Sequence, residues 1–152
     1  MSLFDCLQSD LKQAMKARDF FRVGVLRMII AACNNYRIAK YGGTDHTLSD
    51  DDVISVLTQQ IKQRKESAAR YADVGRSDFA EKEHQEAHLL HTYMPPQLSE
   101  AELLEVIRTT RDSLQLSRPS DIGKLIRAVM DKVHGRADGS LVSELVKREF
   151  SL

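Results

Sequence analysis

Two adjacent prolines, Pro95 and Pro96, stand between two stretches that both carry helical periodicity. Neither proline has an N–H, and each ring clashes with the turn before it, so no helix runs through them. Met94, directly before a proline, is pushed toward an extended conformation. Just after the break, Leu98-Ser99-Glu100-Ala101-Glu102-Leu103 forms a complete helix start. Ser99 is the N-cap, Glu102 closes a capping box, and Leu98 is placed to staple onto Leu103. A break this hard either bends one bundle or separates two units.

The pattern on either side favours two units. Before the prolines, Leu3, Phe4, Leu7, Leu11, Ala14 and Met15 recur at helical spacing, as do Val23, Leu26, Ile30 and Cys33 after a break near Asp19. Gly42-Gly43 ends the second helix. Leu48-Ser49-Asp50-Asp51-Asp52-Val53 then repeats the start signal, with Ser49 as cap and three acids at the positive helix end. The third helix is predicted to run to about Ala72 and stop at Gly75, and the fourth to run from near Ser77 to before Pro95. Three shorter helices follow, starting near Ser99, Ser120 and Ser140. No alternation of the strand type persists anywhere. The expected fold is all-α: an N-terminal four-helix bundle over 1–95 and a small three-helix domain over 97–152, near the lower size limit for independent folding.

Composition narrows the function classes. Hydrophobic residues make up 42% of the 152, enough for a core. The 22 basic and 22 acidic residues cancel, so any pull toward nucleic acid or an anionic membrane has to come from a local patch. No apolar run approaches the roughly 18 residues that span a bilayer. The first residues carry Asp5 and Asp10 and no long apolar stretch, unlike a secretory signal or a transit peptide. Cys6 and Cys33 sit on apolar faces without a Cys-x-x-Cys, which reads as two thiols in a reducing cytoplasm.

Some charged residues fall on faces that otherwise read as core. On the third helix, Val53, Leu57, Ile61, Ala68 and Tyr71 form an apolar stripe, with Arg64 inside it and Lys65 at its edge. On the fourth, Phe79, Leu90, Tyr93 and Met94 mark the core face, and Glu83 and Glu86 fall within it. Arg64 lies as far before Gly75 as Glu86 lies after it, so an antiparallel pair of helices brings them level. One reading is a carboxylate pair for acid–base work. The favoured one is a structural ion pair of Arg64 with Glu86, shared with Glu83, because the partner stands at the right height.

His84, His88 and His91 follow one another at i, i+4 and i+7, the spacing of a metal strip. They point away from the apolar face, and three exposed imidazoles on one straight helix rarely close a tetrahedral site. Glu81-x-x-His84 is half of a di-iron carboxylate motif, but a second Glu-x-x-His is missing. No metal, no cofactor and no catalytic residue is therefore assigned.

The segment Asp121 to Ser140 is the favoured binding element. Ile122, Leu125, Ile126, Val129, Met130 and Val133 cover one side of its helix, and Lys124, Arg127 and Asp131 the other. Lys132 and Arg136 lead into a loop with Gly135 and Gly139 that opens the next helix, whose first N–H groups and positive dipole suit a phosphate.

Three blocks carry a resemblance: "LRMIIAACNN", "IKQRKESAARYADVGRSDFAEKEHQEAHLLHTYMPPQLSEAEL" and "DIGKLIRAVMDKVHGRADGSLVSELVK". Together, and in this order, they resemble the GatB/YqeY family over almost the whole chain. The matching positions include Arg27, then Arg64, Glu83, Glu86, Tyr93 and Pro95, then Gly123, Lys124 and Gly135 to Gly139. Met94 stands where the family usually has Leu between Tyr and Pro, and Ile122 where it often has Met. The resemblance implies a two-part, all-helical protein similar to the tail of the B subunit of the tRNA-dependent amidotransferase, which makes Gln-tRNA or Asn-tRNA from the mischarged form. That tail helps hold the tRNA. The chemistry belongs to a separate cradle domain, so no catalytic residue is carried over.

Residues and resemblance together give three functional expectations. The first is a non-catalytic RNA-binding protein of the cytoplasm, with tRNA or another structured RNA contacted by Lys124, Arg127, Lys132 and Arg136. The second is an accessory of a tRNA-dependent carbon–nitrogen ligase that uses glutamine as amide donor, with a tRNA-charging enzyme as partner. The third is a protein–protein adaptor that uses its bundle faces. None of them involves a membrane.

Overall fold

The computed structural model describes residues 1–151. It contains seven α-helices and, among the described residues, no strand: α1 (Leu3–Lys16), α2 (Phe20–Tyr41), α3 (Asp50–Asp73), α4 (Ser77–His91), α5 (Glu100–Leu114), α6 (Ile122–Lys132) and α7 (Gly139–Phe150). The chain divides into two compact units, Met1–Met94 and Pro95 onward.

Helix ends in the first unit follow local chemistry. Ser2 and Ser49 each cap a helix and close a capping box, with Asp5 and Asp52 at the third helical position. Asp19 caps α2, accepting from the Arg22 N–H. Gly42 ends α2 at φ 76° and Gly75 turns α3 into α4 at φ 74°, a region that costs glycine little. Leu7, Leu26, Ile29, Leu48, Leu57 and Leu90 lie at the centre of the core and are fully buried. Each such side chain contributes about 1.5–3 kcal/mol through removal from water.

Two residues assigned to the core from the helical wheel lie outside it. Tyr71 is 37% exposed and Phe79 39%. Ala68 before the turn and Ala80 after it are the buried residues nearest to it, and neither belongs to the central cluster. The turn end of the α3–α4 hairpin thus packs on itself: Tyr71 and Phe79 meet with ring centroids 5.2 Å apart, and the Arg76 guanidinium sits 4.1 Å from the Phe79 ring centre. Met15, which shares the helical spacing of the apolar residues of α1, is 49% exposed near the end of that helix.

In the second unit Leu103, Ile107, Leu125, Val129, Val133, Val142, Leu145 and Val146 form the core. Ser99 caps α5 and Glu102 closes the box. Leu98 packs against this core, and its N–H donates to the Arg136 carbonyl over 2.8 Å. The other two helices start within two residues of Ser120 and Ser140, as expected, but neither serine caps its helix. Ser120 lies in a single 3-10 turn, Pro119–Asp121, before α6. Asp138 rather than Ser140 caps α7, because its carboxylate accepts the Ser140 N–H at 3.1 Å.

Each unit has its own core and its own capped helices. Produced separately, 1–94 and 95–152 are therefore each expected to show helical circular dichroism and a cooperative thermal transition, the smaller at lower temperature. A flat, non-cooperative melt of 1–94 would contradict this.

Candidate functional site

Three polar clusters lie inside the first unit, and one exposed basic face lies on the second. The first cluster centres on Arg64, which is only 6% exposed. Its Nη1 donates to the Gln60 carbonyl at 3.0 Å and to Gln60 Oε1 at 2.8 Å. Its Nη2 donates to the Met28 sulfur at 2.7 Å. Nε lies 3.3 Å from Glu86 Oε2, close enough for an ion pair, yet its N–H has no hydrogen-bond partner. Glu83 is half-buried and is not joined to Arg64 by an ion pair or hydrogen bond. The carboxylate facing this cation is therefore that of Glu86, held where it neutralises a buried charge.

The second cluster surrounds Asp52, whose side chain is buried although its neighbours Asp50 and Asp51 are exposed. Lys40 Nζ lies 2.6 Å from Oδ1, and the Tyr41 hydroxyl donates to Oδ2 at 2.9 Å. Tyr36 adds a longer bond of 3.4 Å and the Ser49 N–H one of 3.2 Å. Burial alone would raise the Asp52 carboxyl. The bonds from Lys40, Tyr41 and Ser49 outweigh it and hold the group well below the usual carboxylate range. Tyr41 also stacks on His46, with centroids 4.7 Å apart, so the loop after α2 is tied down at the same place. Sequence reasoning treated Asp52 as a capping acid only. Nothing in a run of three aspartates marks which one turns inward.

The third cluster links α1 to the end of α4. The Tyr93 hydroxyl donates to Asp10 Oδ2 at 2.5 Å. Burial, and then Asp10, push the Tyr93 phenol up to about 12. Its proton is held more tightly in the folded chain than in the unfolded one. The stability it gives is thus complete below its ordinary value of 10.0 and is lost as pH rises toward about 12. Tyr93→Phe is expected to cost about 1 kcal/mol near neutral pH, read from the urea midpoint. The difference from the parent chain should shrink between those two pH values.

On the second unit Lys124, Arg127, Lys132 and Arg136 are all exposed. None of them forms an ion pair among the described residues, while Arg108 and Arg111 are taken up by Glu149. The loop that leads into α7 does not offer the open helix start that the glycines suggested. The Asp138 carboxylate already occupies it, placing negative charge where a phosphate would have to sit.

His84, His88 and His91 are exposed along α4. Among the described residues no three His, Cys, Asp or Glu side chains gather as a metal site. Cys33 is buried, which pushes its thiol up to about 11, so it is a poor nucleophile near neutral pH. Among the described residues no helix is long and apolar enough to cross a membrane.

The family model of Yqey-like proteins matches residues 4–150, both units included. The chain belongs to the Yqey-like protein family. Among curated relatives it is similar to Altered inheritance of mitochondria protein 41, mitochondrial, of Lachancea thermotolerans, with 29% identity over 150 residues that cover 95% of this chain and 79% of that protein. The protein of the same name from Vanderwaltozyma polyspora is 33% identical over 88 residues, 58% of this chain and 46% of the relative. That of Saccharomyces cerevisiae strain YJM789 is 32% identical over 111 residues, 72% of this chain and 58% of the relative.

These relatives correct two expectations of this Yqey-like chain. They are named for the inheritance of mitochondria, which displaces the reading as a tRNA-binding module, an amidotransferase accessory or an adaptor. They are also named as mitochondrial proteins, which conflicts with a purely cytoplasmic location. The RNA-binding expectation came from a likeness to an amidotransferase tail and from a basic face, neither of which identifies a ligand, and the cytoplasmic one from the cysteines and the first residues of the chain.

Proposed function

We propose that this chain performs the same molecular task as the relatives named for altered inheritance of mitochondria. The observation that carries the reading is an alignment over 95% of the chain with the Lachancea protein, long enough to take in both helical units. The inward-facing charges fit a role in holding those units in shape. Asp52, Arg64 and Tyr93 each face a partner that offsets the cost of burial. The surfaces, not these clusters, then carry the task.

The test is replacement in a living cell. Saccharomyces cerevisiae lacking its own relative would receive this chain behind a mitochondrial targeting segment. The expected result is mitochondrial inheritance restored to the level given by the yeast protein. Accumulation in mitochondria at a matching level without restoration would refute the reading.

A further inference from the structure

Arg64 and Met28 form a contact with a consequence for oxidation chemistry. A guanidinium has five N–H donors and no acceptor, and it stays charged at any physiological pH. Around Arg64, Gln60 satisfies Nη1, Nε has no hydrogen-bond partner, and the acceptor facing Nη2 is the Met28 thioether at 2.7 Å. A thioether sulfur is a weak acceptor. Glu86 Oε2, 3.3 Å from Nε, neutralises the cation on that side, and the Nη2 side is left with a poor hydrogen-bond acceptor. Met28 itself is 38% exposed, so a small solute reaches its side chain from water.

The geometry points to Met28 as a site of reversible oxidation at which Arg64 stabilises the sulfoxide. The oxidant is a peroxide. The sulfur lone pair attacks one oxygen of hydrogen peroxide, an S–O bond forms as the O–O bond breaks, and hydroxide leaves. That hydroxide takes the proton from the transferred oxygen and departs as water. Sulfur loses two electrons and the peroxide gains them. A methionine sulfoxide reductase restores the thioether: two of its thiols give up two electrons and two protons, the oxygen leaves as water, and the thiols are left as a disulfide. The new S=O oxygen is a strong acceptor beside a buried cation, which makes the hydrogen bond charge-assisted.

The consequence is opposite to that expected elsewhere in the chain. Met94 and Met130 are half-buried against the two cores, and a sulfoxide there puts a polar group into apolar packing. Met15, 49% exposed, is the neutral reference.

The full chain would be partly oxidised with hydrogen peroxide and heated, and the soluble folded fraction separated from the aggregate. Peptide mass spectrometry then gives sulfoxide occupancy at each methionine in both fractions. Met28 sulfoxide is expected to be enriched in the folded fraction over Met15 sulfoxide by about threefold or more, well within the worth of one hydrogen bond to a charged group. Met94 and Met130 sulfoxides should be depleted. Met28→Gln, which puts an amide carbonyl near the place of the sulfoxide oxygen, is expected to melt above Met28→Leu. Met28 sulfoxide that is absent, evenly distributed or depleted with Met94 overturns the inference, as does a Met28→Gln chain that melts below Met28→Leu.

Discussion

Arg64→Ala is expected to destabilise the first unit by about 3 kcal/mol, measured as a shift in the urea midpoint with an unchanged slope. The loss has a specific source. Glu86 keeps its carboxylate in a site that is only partly wet and loses the cation that stands 3.3 Å away. The Gln60 amide oxygen loses its donor as well. Arg64→Met combined with Glu86→Leu removes both charges and keeps most of the volume. It should recover the greater part of the loss, since apolar residues of similar size replace buried pairs at little cost. If the double variant is as unstable as the single one, the charge pairing is not what Arg64 contributes.

Asp52→Ala is expected to cost about 2 kcal/mol near neutral pH, the range for hydrogen bonds to a charged group. The substitution removes the acceptor shared by Tyr36, Tyr41, Lys40 and the Ser49 N–H. Its pH dependence follows from the lowered Asp52 carboxyl. A group whose folded pKa lies below its unfolded one contributes stability above the unfolded value, about 3.9, and loses it as pH falls through the folded value. The gap between the parent and Asp52→Ala should therefore be full at pH 6 to 7, roughly, and narrow below about pH 4. A gap that stays constant into acid would mean that Asp52 acts through packing alone.

Much of this fold is legible in the residues because its boundaries are set locally. Ser49 with Asp52 and Ser99 with Glu102 are reciprocal caps that need nothing beyond three residues of chain. Gly42 and Gly75 end helices because each adopts a positive φ. The common height of Arg64 and Glu86 follows from counting residues on either side of Gly75. Met28 as a neighbour of Arg64 could not be found in the same way, because it comes from a different helix whose rotation and offset depend on packing. The misplacement of Tyr71 and Phe79 has a related cause. Periodicity shows which side of a helix is apolar, but not where along its length the neighbouring helices stop covering it. Asp52 was hidden for a third reason: one residue can close a capping box and also anchor a buried network, and only the first role has a local signature. The basic residues of α6 were legible as an exposed face, and an exposed face does not name its ligand.

The most direct test of the claim of shared function is a set of chimeras with the Lachancea relative. The matched part of that protein would be replaced by this chain, leaving its remaining fifth, roughly, in place (79% of it is covered). Further chimeras would exchange only the part before Pro95 or only the part from Pro95 onward, and all would be scored for mitochondrial inheritance in cells lacking the relative. The account predicts that the full exchange supports inheritance as the parent protein does, and that each single-unit exchange does so too, because each unit keeps its own core and caps. Stable, folded chimeras present at the parent's level that leave inheritance impaired would contradict it.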